Sequence, residues 1–294
     1  MFPIESALLL RACRRASDAA PSMTASPVFD LREPWRGLWR ARDLIVQLTD
    51  RDTRSRYRGS AMGLFWSAIH PLLMLTVYTV FFSEIFPGKW TAQGSRGEFA
   101  LVLFIGLLMH GFVAECLVRA PGLVVEQPNL VKKIVFPLDV LPVVAIGTAL
   151  FHLAIGLAIW LVFHLAIAGL PPVTALWFPV VLAPLVLLTL GVCWFVAAIG
   201  VYLRDIRHVT PVIAAVLLFA SPVFYPVNAV KAPYDVFVRM SPLTIPIEEA
   251  RAVLLWGHAP RFDLLVPYAV AALVVSWLGA AWFRATRKGF ADVL

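Results

Sequence analysis

The sequence predicts an all-α integral membrane protein with six transmembrane helices, and three observations carry that expectation. Of its 294 residues, 60% are hydrophobic and 15% charged, against about 45–50% and about 25% in soluble domains. Six stretches reach the roughly 20 apolar residues that cross a hydrocarbon core of about 30 Å: 62–86, 99–118, 140–168, 174–202, 209–227 and 262–283. Basic residues concentrate in alternate connections, the pattern of a polytopic protein.

The same charges give an orientation. With the N-terminus inside, the inner segments hold 19 of the 25 Lys and Arg: eleven before residue 60, three in 119–139, two in 203–208 and three in 284–288. The outer segments hold six, namely Lys89, Arg96, Lys231, Arg239, Arg251 and Arg261. This bias places both termini in the cytoplasm. It also explains the net charge of +7 by topology, so nucleic acid is not an expected partner.

Taken in chain order, residues 1–28 are expected to be a disordered extension, and 29–294 a single transmembrane domain. ALLL is too short for a signal h-region, and Arg11, Arg14 and Arg15 follow it instead of preceding it. DLREPWRGLWRARDLIVQL (30–48) reads as an amphipathic helix. Asp30 with Glu33 resembles a capping box, and Pro34 suits a first turn. Trp35, Leu38, Trp39, Ile45 and Leu48 fall near one face, with Arg32, Arg36 and Arg40 largely off it. An interface helix over 30–50, lying along the membrane surface, fits this pattern; a solvated basic tail is the plainer alternative.

GLPPV (169–173) joins the third and fourth spans as a tight hairpin. Residues 228–261 are too polar to span, yet MSPLTIPIEEARAVLLWGHAP (240–260) contains short apolar pieces punctuated by proline. Such pieces read as a re-entrant segment at the outer face, a mouth or gate marked by Pro242, Pro246, Glu248, Glu249 and Arg251. An ordinary outer loop is the alternative.

The sequence offers no catalytic machinery. It has no GxxxxGK[ST], HExxH or GxSxG, so the chain is not expected to be an enzyme. Cys13, Cys116 and Cys193 are widely separated and lack metal-ligand spacing, so neither a disulfide nor a metal site is expected. The ionisable residues within the spans are His70, Glu84, His110, Glu115, His152 and His164. Glu115 has Arg119 one turn on, which predicts a local pair, and the histidines are read as interhelical hydrogen-bonding groups. No internal repeat of the kind built into secondary transporters is visible.

One cytoplasmic stretch, QPNLVKKIVFPLDVLP (127–142), is neither span nor simple loop. Leu130, Val131, Ile134, Val135 and Phe136 would make a short apolar helix face, with Lys132 and Lys133 toward water or acidic groups. Such a helix suits a partner's groove, or equally its own bundle.

Five stretches, in the same order over residues 40–294, resemble the membrane subunit of ABC-type polysaccharide exporters, the ABC-2 permease family that exports O-antigen, capsule and teichoic acid. They are RYRGSAMGLFWSAIHPLLMLTVYTVFF (56–82), NLVKKIVFPLDVLP (129–142), YLRDIRHV (202–209) with SPVFYP (221–226), SPLTIPIEEARAVLLWGHAP (241–260) and FRATRKGFADVL (283–294). The RYRGSAMGLFW entry is closest to the O-antigen branch, and the extension before about residue 28 departs from the family pattern.

The resemblance implies a homodimer in the bacterial inner membrane, bound to two separate ATPase subunits. ATP and Mg would sit on those subunits, with no cofactor in this chain. The cargo would be an undecaprenyl-linked polysaccharide passing between the protomers. The family's coupling helix corresponds here to Asn129, Leu130, Lys132, Lys133, Phe136 and Pro137, with Arg204 and Asp205 near the same face. The N-terminal helix with Trp35, Arg36 and Trp39 matches its interface helix, and 228–260 its outer gate helices. Trp66, Tyr78, Phe82, Phe219, Phe224 and Tyr225 are candidates for stacking on sugar rings in the channel. Two rivals remain at this stage. One is a permease of the same fold for drugs or small lipids. The other is a membrane enzyme on lipid-linked sugars, for which Glu248, Glu249 and Arg251 would be the one available cluster.

Overall fold

The computed structural model describes residues 33–57, 65–80, 96–131 and 136–294. The expected 1–28 extension and the calls on Phe82, Glu84, Lys132 and Lys133 lie outside the described residues, as do the side chains of His70, Tyr78 and Leu130. Among the described residues the chain is helical, without strands. It runs α1 (Glu33–Arg40), α2 (Arg42–Tyr57), α3 (Trp66–Val80) and α4 (Arg96–Arg119), then the single turns α5 (Gly122–Val125) and α6 (Pro128–Val131). There follow α7 (Val140–Ile167), α8 (Phe178–Tyr202), α9 (Ile206–Ala220), α10 (Asp235–Met240), α11 (Thr244–Leu254), α12 (Phe262–Thr286) and a last turn, α13 (Phe290–Val293).

Four helices, α4, α7, α8 and α12, are long and apolar enough to cross a membrane. They match four of the six predicted spans to within a few residues. α9 has 15 residues, about 22 Å at 1.5 Å per residue, short of a 30 Å core; α3 runs to Val80, the last described residue before 96. The fifth span, expected over 209–227, is corrected to Ile206–Ala220. Ser221 precedes Pro222, and the proline ring disfavours the α region for the residue before it. Ser221 accordingly turns extended, at φ −114° and ψ 156°, and the helix stops there.

α8 and α12 form the most extensive helix pair, and two glycines explain how closely they approach. A Cβ on Gly279 would lie 2.1 Å from the Gly191 carbonyl oxygen, and one on Gly191 would lie 2.6 Å from the Ser276 Cα. The backbones therefore touch. In lipid no hydrophobic force drives helices together, so contact through small residues supplies the attraction. Gly279→Leu is expected to part the pair at a cost of about 3 kcal/mol, the upper part of the range for overpacking. Thermal unfolding of the detergent-solubilised protein checks this, and a melting temperature equal to wild type would refute it.

The N-terminal helices dock on the bundle. α1 continues almost unbroken into α2, since the Ala41 N–H donates to the Gly37 carbonyl at 3.1 Å and the Ile45 N–H to that of Ala41 at 2.9 Å. The helix continues to Tyr57, beyond the expected end near 50. Ala41 is buried with Val140 and Val144 at the start of α7, and Leu38, Ile45 and Leu48 pack around them. Trp35 is half-buried against the main core. The predicted apolar face needs one correction: Trp39 is 71% exposed and carries the Arg42 guanidinium 5.3 Å above its ring. Arg36 is exposed as expected.

α10 and α11 are too short to cross a bilayer; α11, with 11 residues, is about 16 Å long. Yet α11 is set into the bundle against α4, α8 and α12, with Ile247, Ala250 and Val253 fully buried. Pro246 falls in its first turn, where the N–H groups have no intrahelical partner and proline costs least.

Candidate functional site

At one end of the bundle, the segment after α4 meets the α8–α9 connection and the C-terminus. α4 closes with the Ala120 N–H donating to the Cys116 carbonyl at 3.0 Å. The chain then turns at Pro121 directly over Gly200, where an added Cβ would lie 2.5 Å from the Pro121 oxygen. Ala120, Val124, Val131 and Leu138 are buried and pin the segment down. Residues 132–135 of the helix expected over 130–136 lie outside the described residues; before them the chain makes two short turns, α5 and α6. Pro121 and Pro128 interrupt the backbone ladder, and Pro128 suits the first position of α6.

Within this segment Asn129 is exposed, whereas Phe136 is half-buried and packs on the core. The Pro137 carbonyl accepts the Val140 N–H at 3.1 Å and so begins α7. Arg204 and Asp205 are exposed on the adjoining α8–α9 turn, closed by the His208 N–H on the Asp205 carbonyl at 2.9 Å. The C-terminus completes the face. The Tyr202 hydroxyl donates to the Thr286 carbonyl at 2.9 Å, Phe290 is buried edge-on to Phe283 with centroids 5.4 Å apart, and Arg287 pairs with Asp139 at 3.3 Å. Asn129, Arg204 and Asp205 thus lie toward one end of the bundle.

Next to this face a charge cluster ties α2 to α4 and α7. Arg119, the last residue of α4, donates to Asp52 at 2.7 Å, and the Thr148 hydroxyl donates to the same carboxylate oxygen at 2.8 Å. Arg56 donates to Glu115 at 2.8 Å, whose other oxygen accepts from His152 Nδ1 at 2.8 Å. The predicted Glu115–Arg119 pair exists, but at 3.9 Å it is, like Arg56–Asp52 at 4.0 Å, much longer than these contacts. Burial pushes the Asp52 carboxyl up, but the Arg119 charge, the hydrogen bonds from Arg119 and Thr148, and the Arg56 charge outweigh it. The net result is a value below the ordinary 3.8. A depressed carboxyl stabilises the fold above that ordinary value and loses the contribution as pH falls through its folded value. Asp52→Asn should therefore flatten the acid limb of a stability–pH curve, and an unchanged limb between about pH 5 and 2 would refute it.

The α10–α11 segment is anchored by Arg251, which is fully buried. Its Nε donates to the Val102 carbonyl of α4 at 3.1 Å. Nη1 and Nη2 donate to the Pro222 and Val223 carbonyls at 2.6 and 3.0 Å, and Nη1 also meets Glu248 at 3.2 Å. Glu249, equally buried, accepts the Arg261 backbone N–H and its Nε, each at 2.8 Å, at the start of α12. The Tyr268 hydroxyl donates to the Pro242 carbonyl at 2.9 Å. Glu248, Glu249 and Arg251 are thus committed to holding backbone and helix ends. A catalytic cluster would need them open to a substrate, and the arrangement does not provide that.

The aromatic candidates divide. Phe219 is 65% exposed, but Phe224 is buried with its ring 5.7 Å from that of Phe219, which leaves it no free face for a sugar. The Tyr225 hydroxyl is taken up by the Phe219 carbonyl. Trp66 is 47% exposed and borders a cavity of about 440 Å³ between α3, α4, α7 and α9. His110 fits the interhelical reading, since it donates to the Ala214 carbonyl of α9 at 2.9 Å, but His164 caps the end of its own helix. It donates to the Gly169 carbonyl at 3.0 Å, in the turn where Gly169 adopts φ +83°.

Sequence reasoning missed Asp52, Arg56 and Thr148, and Gly106 and Gly200 as well. The i,i+4 spacing of Asp52 and Arg56 was a usable signal, because it continues the helix past residue 50 with a charged stripe. The glycines carried no signal, since only the packed partner shows why a side chain is excluded.

Three relatives align over nearly their full lengths. The O-antigen export system permease protein RfbA of Myxococcus xanthus is 26% identical over 259 residues, spanning 87% of this chain and 97% of that protein. An O-antigen export system permease protein RfbA of Klebsiella pneumoniae is 21% identical over 253 residues, 86% and 95% of the two chains. The polysialic acid transport protein KpsM of Escherichia coli is 20% identical over 239 residues, 80% and 90%. The family model for ABC-2 type transporters matches residues 43–255, which takes in nearly all of α2, both short turns after α4, and α10 and α11. The chain belongs to the ABC-2 type transporter family.

Proposed function

We propose that this chain is the channel-forming permease subunit of an ATP-driven exporter that moves lipid-linked polysaccharide, most specifically O-antigen, across the bacterial inner membrane. The observation that carries the reading is near-full-length similarity to permeases of polysaccharide export, with the higher identities among those named for O-antigen. Both termini and the 119–139 segment face the cytoplasm, in keeping with the distribution of Lys and Arg. The chain works as a homodimer with two ATPase subunits, and ATP with Mg is bound and hydrolysed there.

The working stroke runs through residues described above. Nucleotide binding closes the ATPases, which push on Asn129, Leu130, Lys132, Lys133, Phe136 and Pro137, with Arg204 and Asp205 beside them. The segment is short, braced by Pro121 on Gly200 and joined directly to Arg119 at the end of α4. Movement there therefore reaches α4 and, through Asp52, the interface helix. The undecaprenyl-linked glycan passes between protomers toward the re-entrant α10–α11 gate. A capsular cargo is the second reading, favoured by the similarity to KpsM.

Deleting the gene tests the proposal. Surface polysaccharide should vanish while lipid-linked glycan accumulates inside, and complementation should reverse both. Surface polysaccharide unaltered by the deletion would leave a permease for drugs or small lipids instead. Complementation with Lys132, Lys133 and Phe136 all changed to alanine should fail, and wild-type export from that variant would remove the coupling assignment.

A further inference from the structure

The cavity beside Trp66 has the form of a ligand site. Its volume of about 440 Å³ lies within the range of pockets that bury small ligands. Its walls are apolar, including Met74, Phe104, Leu107, Leu153 and Leu218, and its polar groups include His110 and the Glu115–His152 pair. That pair belongs to the cluster in which Asp52 and Glu115 face Arg56 and Arg119, so two carboxylates there meet two guanidinium groups.

Gly111 adds an independent observation. It lies within α4, lines this cavity, and a Cβ added there would meet nothing within 4 Å. Glycine is among the poorest helix formers, and no neighbour excludes a side chain at this position. Its effect is to keep the cavity wall open. At about 30 Å³ for a methylene-sized group, close to a water's share of liquid volume, the space holds a hydrocarbon segment of on the order of 15 carbons.

We propose that this cavity receives the isoprenoid chain of the lipid on which the glycan is carried, with the chain held among α3, α4, α7 and α9. The polar Glu115–His152 pair then lies toward the chain's polar end. This assignment rests on the reading of the chain as an exporter of lipid-linked glycan.

The test uses the complete chain purified with its ATPase partner in lipid nanodiscs. A polyprenyl phosphate carrying a diazirine on its isoprenoid chain is photolysed, and the adducts are mapped by mass spectrometry. Adducts are expected within residues 66–75 and 104–115. Gly111→Trp and, independently, Met74→Trp should lower them about tenfold, equivalent to a tenfold loss of affinity. Leu161→Trp, on an exposed part of α7, should leave them unchanged. Labelling that persists undiminished in both filled variants overturns the proposal. So does labelling of the same peptides by a diazirine-tailed phosphatidylglycerol that excess polyprenyl phosphate does not displace. The exporter reading fails separately, through surface polysaccharide that survives gene deletion, a result that the labelling does not affect.

Discussion

Arg251→Met is expected to destabilise the protein by about 3–5 kcal/mol, the cost of removing one partner from a buried charged network, or roughly 10 °C in Tm for a chain of this size. The guanidinium serves three carbonyls and Glu248 at once. Pro222 and Val223 lie just past the end of α9, where the backbone has left the helix. Their carbonyls depend on outside donors, and each unmet buried acceptor is costly. Gly106 provides the room, since a Cβ there would lie 2.7 Å from Arg251 Nη2. Arg251→Lys should rescue little, because a single ammonium cannot reproduce the planar fork of donors. Gly106→Val should weaken the same anchor while leaving Arg251 in place. A Tm within a degree or two of wild type for Arg251→Met would refute the anchoring role.

Glu115→Ala is the second large effect, expected to cost about 2–3 kcal/mol, below the full buried-pair figure because the side chain keeps 20% exposure and solvent screens part of the interaction. It leaves Arg56 and His152 without their shared carboxylate, with Asp52, 4.0 Å away, as the acidic group still near Arg56. Arg56→Ala should cost less alone, and the double variant less than the sum, because the two residues share one interaction. Strict additivity in that cycle, measured by Tm, would show that the 2.8 Å contact contributes nothing. Export should fall with Glu115→Ala, because the charge cluster then links α2 to α4 and α7 through Asp52 without Glu115.

How legible this was from sequence depends on what each element needed. Long apolar runs specify α4, α7, α8 and α12 because a bilayer of fixed thickness demands them, and their bounds could be read directly. α9 could not, because its end is set by Ser221–Pro222, a local restriction inside a run that stays apolar to 227. The apolar face of the N-terminal helix was legible in Leu38, Ile45 and Leu48. Trp39 escaped because helical phase alone does not reveal which part of a broad face the bundle covers. Glu248, Glu249 and Arg251 stood out as charges in a re-entrant segment. Their roles as backbone and helix-end anchors depended on carbonyls of Val102, Pro222 and Val223, more than 25 residues away in sequence for each contact with Arg251.

The cluster around Asp52 was hidden for a similar reason. Glu115 and His152 sit on different helices, and only the packed bundle brings them to 2.8 Å. Gly111 was invisible as a feature because its significance is the empty space beside it. Chemistry that depends on a span's composition is written locally, whereas chemistry that depends on two helices meeting is not.

Asn129 gives the most direct measurement of the coupling assignment, because it is exposed on the segment assigned to ATPase contact. With the native cysteines replaced, Asn129→Cys should react with a membrane-impermeant maleimide in inside-out vesicles and resist it in intact cells. Addition of the ATPase subunit should then shield it. Reaction from the outer face, or equal reactivity with and without the ATPase, would contradict the assignment of this segment as the link between ATP hydrolysis and transport.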